Sequence, residues 1–240
     1  IKRASPEQGV VHLDPDTAMN PHTWQAALRA AGAGCHAVDL VMSGECENAF
    51  CAVRPPGHHA EKANPMGFCF FNNIGVAARH ALKKHGLERV AIIDFDVHHG
   101  NGTEDCFAGD DQVLMCSIFQ HPFYPYCGTE KPAANMCNVP LAAGCGGEEF
   151  RDAVLQVWTP RLKEFKPQMI FISAGFDGHY EDDMGGLKLL EKDYAWCTEH
   201  LKKLAAEMCD KRIVSMLEGG YVMTSLARSV GAHLRVLADL

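Results

Sequence analysis

Asp94, Asp96 and His98 alternate through the string Asp94-Phe95-Asp96-Val97-His98-His99-Gly100-Asn101-Gly102, which closes a short apolar run. A spacing of two sets side chains on one side of an extended chain, so two carboxylates and an imidazole face together. Asp96 and His98 can then grip one divalent cation. Asp177, at the end of another apolar run, completes a set of two carboxylates and one imidazole that leaves a coordination position open for water, as a catalytic zinc site requires. A single aspartate at such a place more often caps a strand or helix; the whole string joined to Asp177 favours metal chemistry.

His58 and His59 follow Arg54-Pro55-Pro56-Gly57, a stiff segment that fixes where the chain leaves its strand. A metal that polarises a carbonyl and acidifies water still needs a base to take a proton and an acid to deliver one. Two adjacent imidazoles can divide that work. Each needs a partner at its other ring nitrogen, and Asp94 and Asn101 are the natural candidates. An aspartate partner holds its histidine more strongly positive than an asparagine does, so the pair need not be equally basic. Tyr221 follows Gly219-Gly220, where the backbone can pass close to a site and turn a phenol inward. Its hydroxyl suits an oxyanion donor, although a tyrosine in a tight turn after a strand is common without that role.

The elements that must position these groups are legible in the apolar pattern. Short runs at Ala49–Val53, Val90–Phe95, Val113–Ile118, Met169–Ala174 and Ile213–Leu217 read as strands. Helical stretches are expected over Thr23 to about Met42, opened by Asn20-Pro21 and ended near Gly44, and over Ile74–His85, Glu148–Phe165 and Asp193–Met208. This alternation predicts an α/β fold of three layers, α/β/α, around a mostly parallel sheet. Four of the five runs are followed directly by a polar cluster: those holding His58, His98, Asp177 and Tyr221. In an open parallel sheet the carboxyl ends of the strands share one edge, where ligands bind, so the four clusters should converge on one crevice.

The 240 residues, nearly half of them apolar, fit a single domain over 1–240. The 22 basic and 30 acidic residues leave a net charge of −8, the wrong sign for direct nucleic-acid binding and compatible with a cationic substrate. Eleven cysteines without a C-x-x-C pair or a secretory leader point to reduced thiols and a cytoplasmic location; Cys51, Cys69 and Cys116 lie in apolar runs as small core residues. No apolar stretch is long enough for a membrane span. Ile1 at the start suggests a processed or truncated portion.

The strings RPPGHHAE (Arg54–Glu61), GFCFFNN (Gly67–Asn73), DFDVHHGNGT (Asp94–Thr103), SAGFDGH (Ser173–His179) and LEGGY (Leu217–Tyr221) resemble, in order, those of the zinc-dependent histone deacetylase superfamily. The likeness is to its class II-like branch, with the bacterial deacetylase-like amidohydrolases. It implies an arginase/deacetylase fold and hydrolysis of an acyl-amide, most often acetyl on a lysine side chain or on a small amine or polyamine. It implies one zinc on Asp96, His98 and Asp177, His58 and His59 as the catalytic pair with His59 as general base, and Tyr221 as oxyanion donor. Gly67 and Phe68 with Tyr124 would flank a narrow substrate channel. The resemblance also implies a structural potassium ion near Asp94, Asp96, His98 and Ser117. Asn101 stands where class I relatives carry aspartate, and several dozen residues that relatives place before this segment are expected to be missing. Two rivals are a two-metal ureohydrolase, from whose metal strand Gly100 removes a ligand, and an acyl-lysine binding module without turnover. Gln120–Lys131 and the loop near His12–Asp16 are the expected rim, with Asp14 or Asp16 able to meet a backbone amide or a cation.

Overall fold

The computed structural model describes residues 1–240. After a 3-10 turn at Lys2–Ala4, β1 (Val11–His12) and β2 (Ala18–Met19) form a small antiparallel hairpin. Then come α1 (Thr23–Ser43), β3 (Asn48–Cys51), α2 (Asn73–Lys84), β4 (Val90–Asp94), α3 (Asn101–Phe107), β5 (Val113–Gln120) and β6 (Met136–Leu141). The chain closes with α4 (Gly147–Ala153), α5 (Thr159–Phe165), β7 (Ile170–Ala174), α6 (Glu191–Met208), β8 (Ile213–Leu217) and α7 (Met223–Leu237). The main sheet has six strands in the order β3-β8-β7-β4-β5-β6, every pairing parallel.

Alternation along each strand divides the core between the two faces of the sheet. Ala91, Ile93, Leu114, Cys116, Ile170 and Ile172 join one cluster, with Trp158, Tyr194 and Leu201 from the later helices. Val90, Ile92, Val113, Met115, Phe171 and Val214 join the other, with Val38 and Val41 of α1 and Ile74 and Ala78 of α2. Strands buried on both faces need apolar residues at every position, which is why they appear in the sequence as continuous runs. The three-layer architecture follows, and no helix is long and apolar enough to cross a membrane.

Several boundaries differ from the sequence reading. Val53 and Phe95 lie outside β3 and β4, and β5 runs on to Gln120. The stretch expected as one helix over Glu148–Phe165 is α4 and α5 joined by a π-helical turn at Val154–Trp158. Asn20 does not directly precede α1: its carboxamide oxygen accepts from the His22 amide at 2.8 Å, and two residues of turn intervene before Thr23. The pattern did not reveal β6, an edge strand holding Asn138 and Pro140, or α7.

Candidate active site

The four strands that carry the polar clusters are four consecutive neighbours, β3-β8-β7-β4, so their carboxyl ends meet at one edge. β4 itself stops at Asp94; Asp96 and His98 stand in the turn beyond it. That turn is held by its own carboxylates: Asp94 Oδ1 accepts from the Asp96 amide at 3.1 Å, and Asp96 Oδ1 from the His98 amide at 2.9 Å. Asp177, from the end of β7, reaches across with Oδ1 to accept from the Val97 amide at 2.9 Å.

His98 Nδ1 lies 3.1 Å from Asp96 Oδ1 and 3.1 Å from Asp177 Oδ2. One ligand atom from each of these three buried residues falls within 4.8 Å of the others. Burial disfavours a charged imidazole, but the carboxylates of Asp177 and Asp96 outweigh it and push His98 up to about 10. Burial, together with the charge of Asp96, lifts Asp177 to about 6. Two buried carboxylates around one ring nitrogen are a site for positive charge, and a divalent cation with nitrogen and oxygen preference fits the donor set. The backbone of Gly219 packs against the same group. Its amide donates to Asp96 Oδ2 at 2.8 Å, and a Cβ there would fall on Asp177 Oδ2 and crowd Asp96 Oδ2.

His58 and His59 sit beside this group, ring centroids 4.0 Å apart. His58 Nδ1 is 3.0 Å from Asp94 Oδ2, and His59 Nδ1 is 2.8 Å from Asn101 Oδ1. The Asn101 carboxamide is fixed from its other end, because Nδ2 donates to Glu61 Oε1 at 2.9 Å. Only its oxygen then faces His59, so Nδ1 of His59 carries the hydrogen and Nε2 keeps a lone pair. Burial opposes charge on His58, yet Asp96 and Asp94 hold it well above the ordinary imidazole value. His59 is pushed well below that value by burial and then by the charge of His58. The neighbouring His99 turns away, with Nε2 2.6 Å from Glu104 Oε2 and Nδ1 3.3 Å from the Ser117 hydroxyl. Ser117 lies opposite Asp94 in the β4–β5 register.

Two carboxylates that the sequence does not single out hold this assembly in place. Glu218, fully buried, accepts through Oε2 from the Gly57 and His58 amides at 2.7 and 3.1 Å. Its Oε1 takes the Ser173 hydroxyl at 3.0 Å. Burial pushes it up to about 7. Asp182 Oδ2 accepts from the Tyr221 and Val222 amides at 2.7 and 3.1 Å, fixing the turn that presents the phenol. The one available signal for Glu218 is an acidic residue directly after an apolar strand; for Asp182 none exists.

A cleft of about 350 Å³ opens above His59 and His98, with Phe68, Phe123, Tyr124 and Tyr221 along it. Phe123 stacks on His98 with centroids 5.3 Å apart, Tyr124 sets its ring edge-on to His59 at 5.2 Å, and Phe68 lies edge-on to Tyr221 at 6.1 Å. Gly67 and Phe68 both adopt positive φ, 56° and 66°. The hairpin loop holds this bend, as Asp16 Oδ1 accepts from the Gly67 amide at 3.0 Å and Thr17 Oγ1 from the Phe68 amide at 3.1 Å. Asp16 thus meets a backbone amide of its own chain, and Asp14 accepts from the Asp16 amide at 3.0 Å. Tyr126, Asp183 and Met184 also line the cleft; the last two lie outside the segments expected as rim. Burial, reinforced by the charges of Asp177 and Asp96, keeps the Tyr221 phenol protonated far beyond its ordinary range.

The sequence profile described as "Histone deacetylase domain" matches residues 2–237. A "Probable deacetylase" of Archaeoglobus fulgidus is 42% identical over 215 residues, covering 87% of this chain and 60% of that one. The "Polyamine deacetylase HDAC10" of Homo sapiens is 37% identical over 230 residues, covering 91% of this chain and 34% of that one. The chain therefore spans less than two thirds of the length of these curated relatives. Among solved structures, the HDA15 HD domain superposes with a TM-score of 0.88 at 33% identity, covering 96% of this chain and 69% of the other. With the fold, the motif order and nearly the whole length in agreement, the chain belongs to the histone deacetylase family.

Proposed function

We propose that this protein hydrolyses the amide of an acylated amine, an acetylated lysine side chain or a small acetylated amine, with one zinc ion held by Asp96, His98 and Asp177. Zinc in such a set supplies Lewis acidity, polarising the amide carbonyl and easing deprotonation of water. The remaining work falls to the chain's own groups. His59, neutral and with Nε2 bare, takes the proton of the attacking water. His58, kept positive by Asp94 and Asp96, repels that proton and so favours its passage to the departing amine nitrogen. The Tyr221 hydroxyl donates to the carbonyl oxygen as negative charge collects there, a contact whose loss typically costs about 100- to 1000-fold. The aromatic residues of the cleft exclude water from an alkyl chain, and Asp16 and Asp183 beside it suit a cationic substrate. A structural potassium ion near Asp94, Asp96, His98 and Ser117 belongs to the same proposal. The eleven free cysteines suit a reducing compartment such as the cytoplasm.

One observation carries this reading: the ligand atoms of Asp96, His98 and Asp177 converge, and His98 lines one cleft together with His59. The test is side-by-side turnover of acetyl-lysine peptides and acetylated polyamines by zinc-loaded protein. Hydrolysis abolished in His59→Ala supports the proposal. Binding of these ligands without turnover would instead favour an acyl-lysine reader, and two tightly held ions in the cleft would favour the ureohydrolase chemistry.

A further inference from the structure

A second group of metal-ligating side chains lies far from the cleft. Asp39 on α1, His80 on α2 and His85 just after α2 bring one ligand atom each within 4.8 Å of the others. The helices α1 and α2 each lead into a strand, so their last turns lie where strands begin, at the sheet edge opposite the cleft. Both imidazoles present Nε2 to the same carboxylate oxygen: His80 at 2.8 Å and His85 at 2.7 Å from Asp39 Oδ1. Their rings stand 69° apart with centroids 5.6 Å from one another, so the two nitrogens approach one point from different directions. Lys84 takes the other oxygen, Nζ to Oδ2 at 2.9 Å.

We propose that Asp39, His80 and His85 form a second metal site, taking a divalent ion of the zinc, nickel or copper kind and clamping α1 to α2. Two imidazole nitrogens, borderline donors, beside a single carboxylate oxygen favour such ions over calcium or magnesium, which take oxygen ligands. A neutral imidazole moves its hydrogen from Nε2 to Nδ1 at no cost in net protons, so occupancy needs a tautomer change at each ring and a spreading of the three ligand atoms by about half an ångström from their hydrogen-bonded positions. The three side chains are about one fifth to one third exposed, at 35%, 21% and 20%. The ion can therefore enter from solvent and complete its shell with water. The Lys84 ammonium on the same carboxylate opposes a second cation, which weakens the site but leaves Oδ1 free for it.

Equilibrium dialysis against Zn²⁺ near pH 7.5, with metal counted per chain, tests the site by difference and independently of the catalytic proposal. The parent should bind one equivalent more than His80→Ala/His85→Ala, and Asp39→Asn, which keeps a hydrogen-bond acceptor for both rings, should lose the same equivalent. Hydrolytic turnover, or circular dichroism if there is none, shows that the variants are folded. Lys84→Ala should tighten the extra equivalent by about threefold, the effect of one exposed charge. Equal stoichiometry in the parent and the double variant would overturn the proposal, as would unchanged or weaker binding in Lys84→Ala.

Discussion

His58 and His59 meet different partners through the same ring atom: a carboxylate at one and an amide oxygen at the other. From that difference follows an experiment on basicity. In Asn101→Asp the new carboxylate favours the charged form of His59 and raises its pKa. A base works only when deprotonated, so the acid limb of the kcat/KM profile should move to higher pH, by about one unit for an added hydrogen-bonded charge. An acid limb that stays in place would mean His59 is not the group titrating there. Glu61→Ala should act one step removed, releasing the Asn101 amide and lowering kcat by about tenfold with metal content unchanged, as expected for loss of an orienting partner. That Asp94 and Asn101 serve as partners of the two histidines is legible in the sequence, since a stiff Pro-Pro-Gly turn and one strand end leave few alternatives; which imidazole meets which is visible only in the structure. Glu61, Glu218 and Asp182 are not legible in the sequence, because each acts by accepting from N–H groups whose direction depends on loop paths.

The strand ends set the geometry that these residues inherit. Four of the main-sheet strands, β4, β5, β7 and β8, appear in the sequence because burial on both faces demands unbroken apolar runs; β3, a partly buried edge strand, shows only through the short run at Ala49–Val53. The edge strand β6 escapes because Asn138 and Pro140 interrupt its run, as edge positions allow. The convergence of four clusters is likewise foreseeable from strand–helix alternation, but not the adjacency β3-β8-β7-β4, which is a property of the topology. Strand ends meet without room for a side chain at Gly175, against Asp96, and at Gly219, against both Asp96 and Asp177. Gly219→Ala should therefore weaken metal binding by at least about tenfold while leaving the circular dichroism spectrum intact. Undiminished metal affinity in that variant would show that the β8 end does not shape the ligand set.

Over the whole molecule, two apolar clusters sandwich the sheet, and one imidazole is buried among the aromatic rings of one of them. His233 bonds to the hydroxyls of Thr198 and Ser215 at 2.6 and 2.9 Å, and burial holds its pKa down to about 3. The unfolded chain binds this proton near pH 6.5 and the folded chain does not. Its contribution to stability is thus complete above about 6.5 and declines as pH falls towards 3, by up to about 1.4 kcal/mol per unit. Urea unfolding between pH 7 and 4.5 should show a shallower loss in His233→Gln than in the parent; parallel slopes would contradict the assignment. A core histidine of this kind is invisible in the sequence, where nothing distinguishes it from the exposed ones. The account as a whole rests on one ion held by Asp96, His98 and Asp177. Zinc-edge X-ray absorption on His80→Ala/His85→Ala protein carrying one equivalent of zinc tests this most directly. The predicted spectrum has one imidazole and oxygen neighbours only, and two or more imidazoles, or any sulfur, would contradict it.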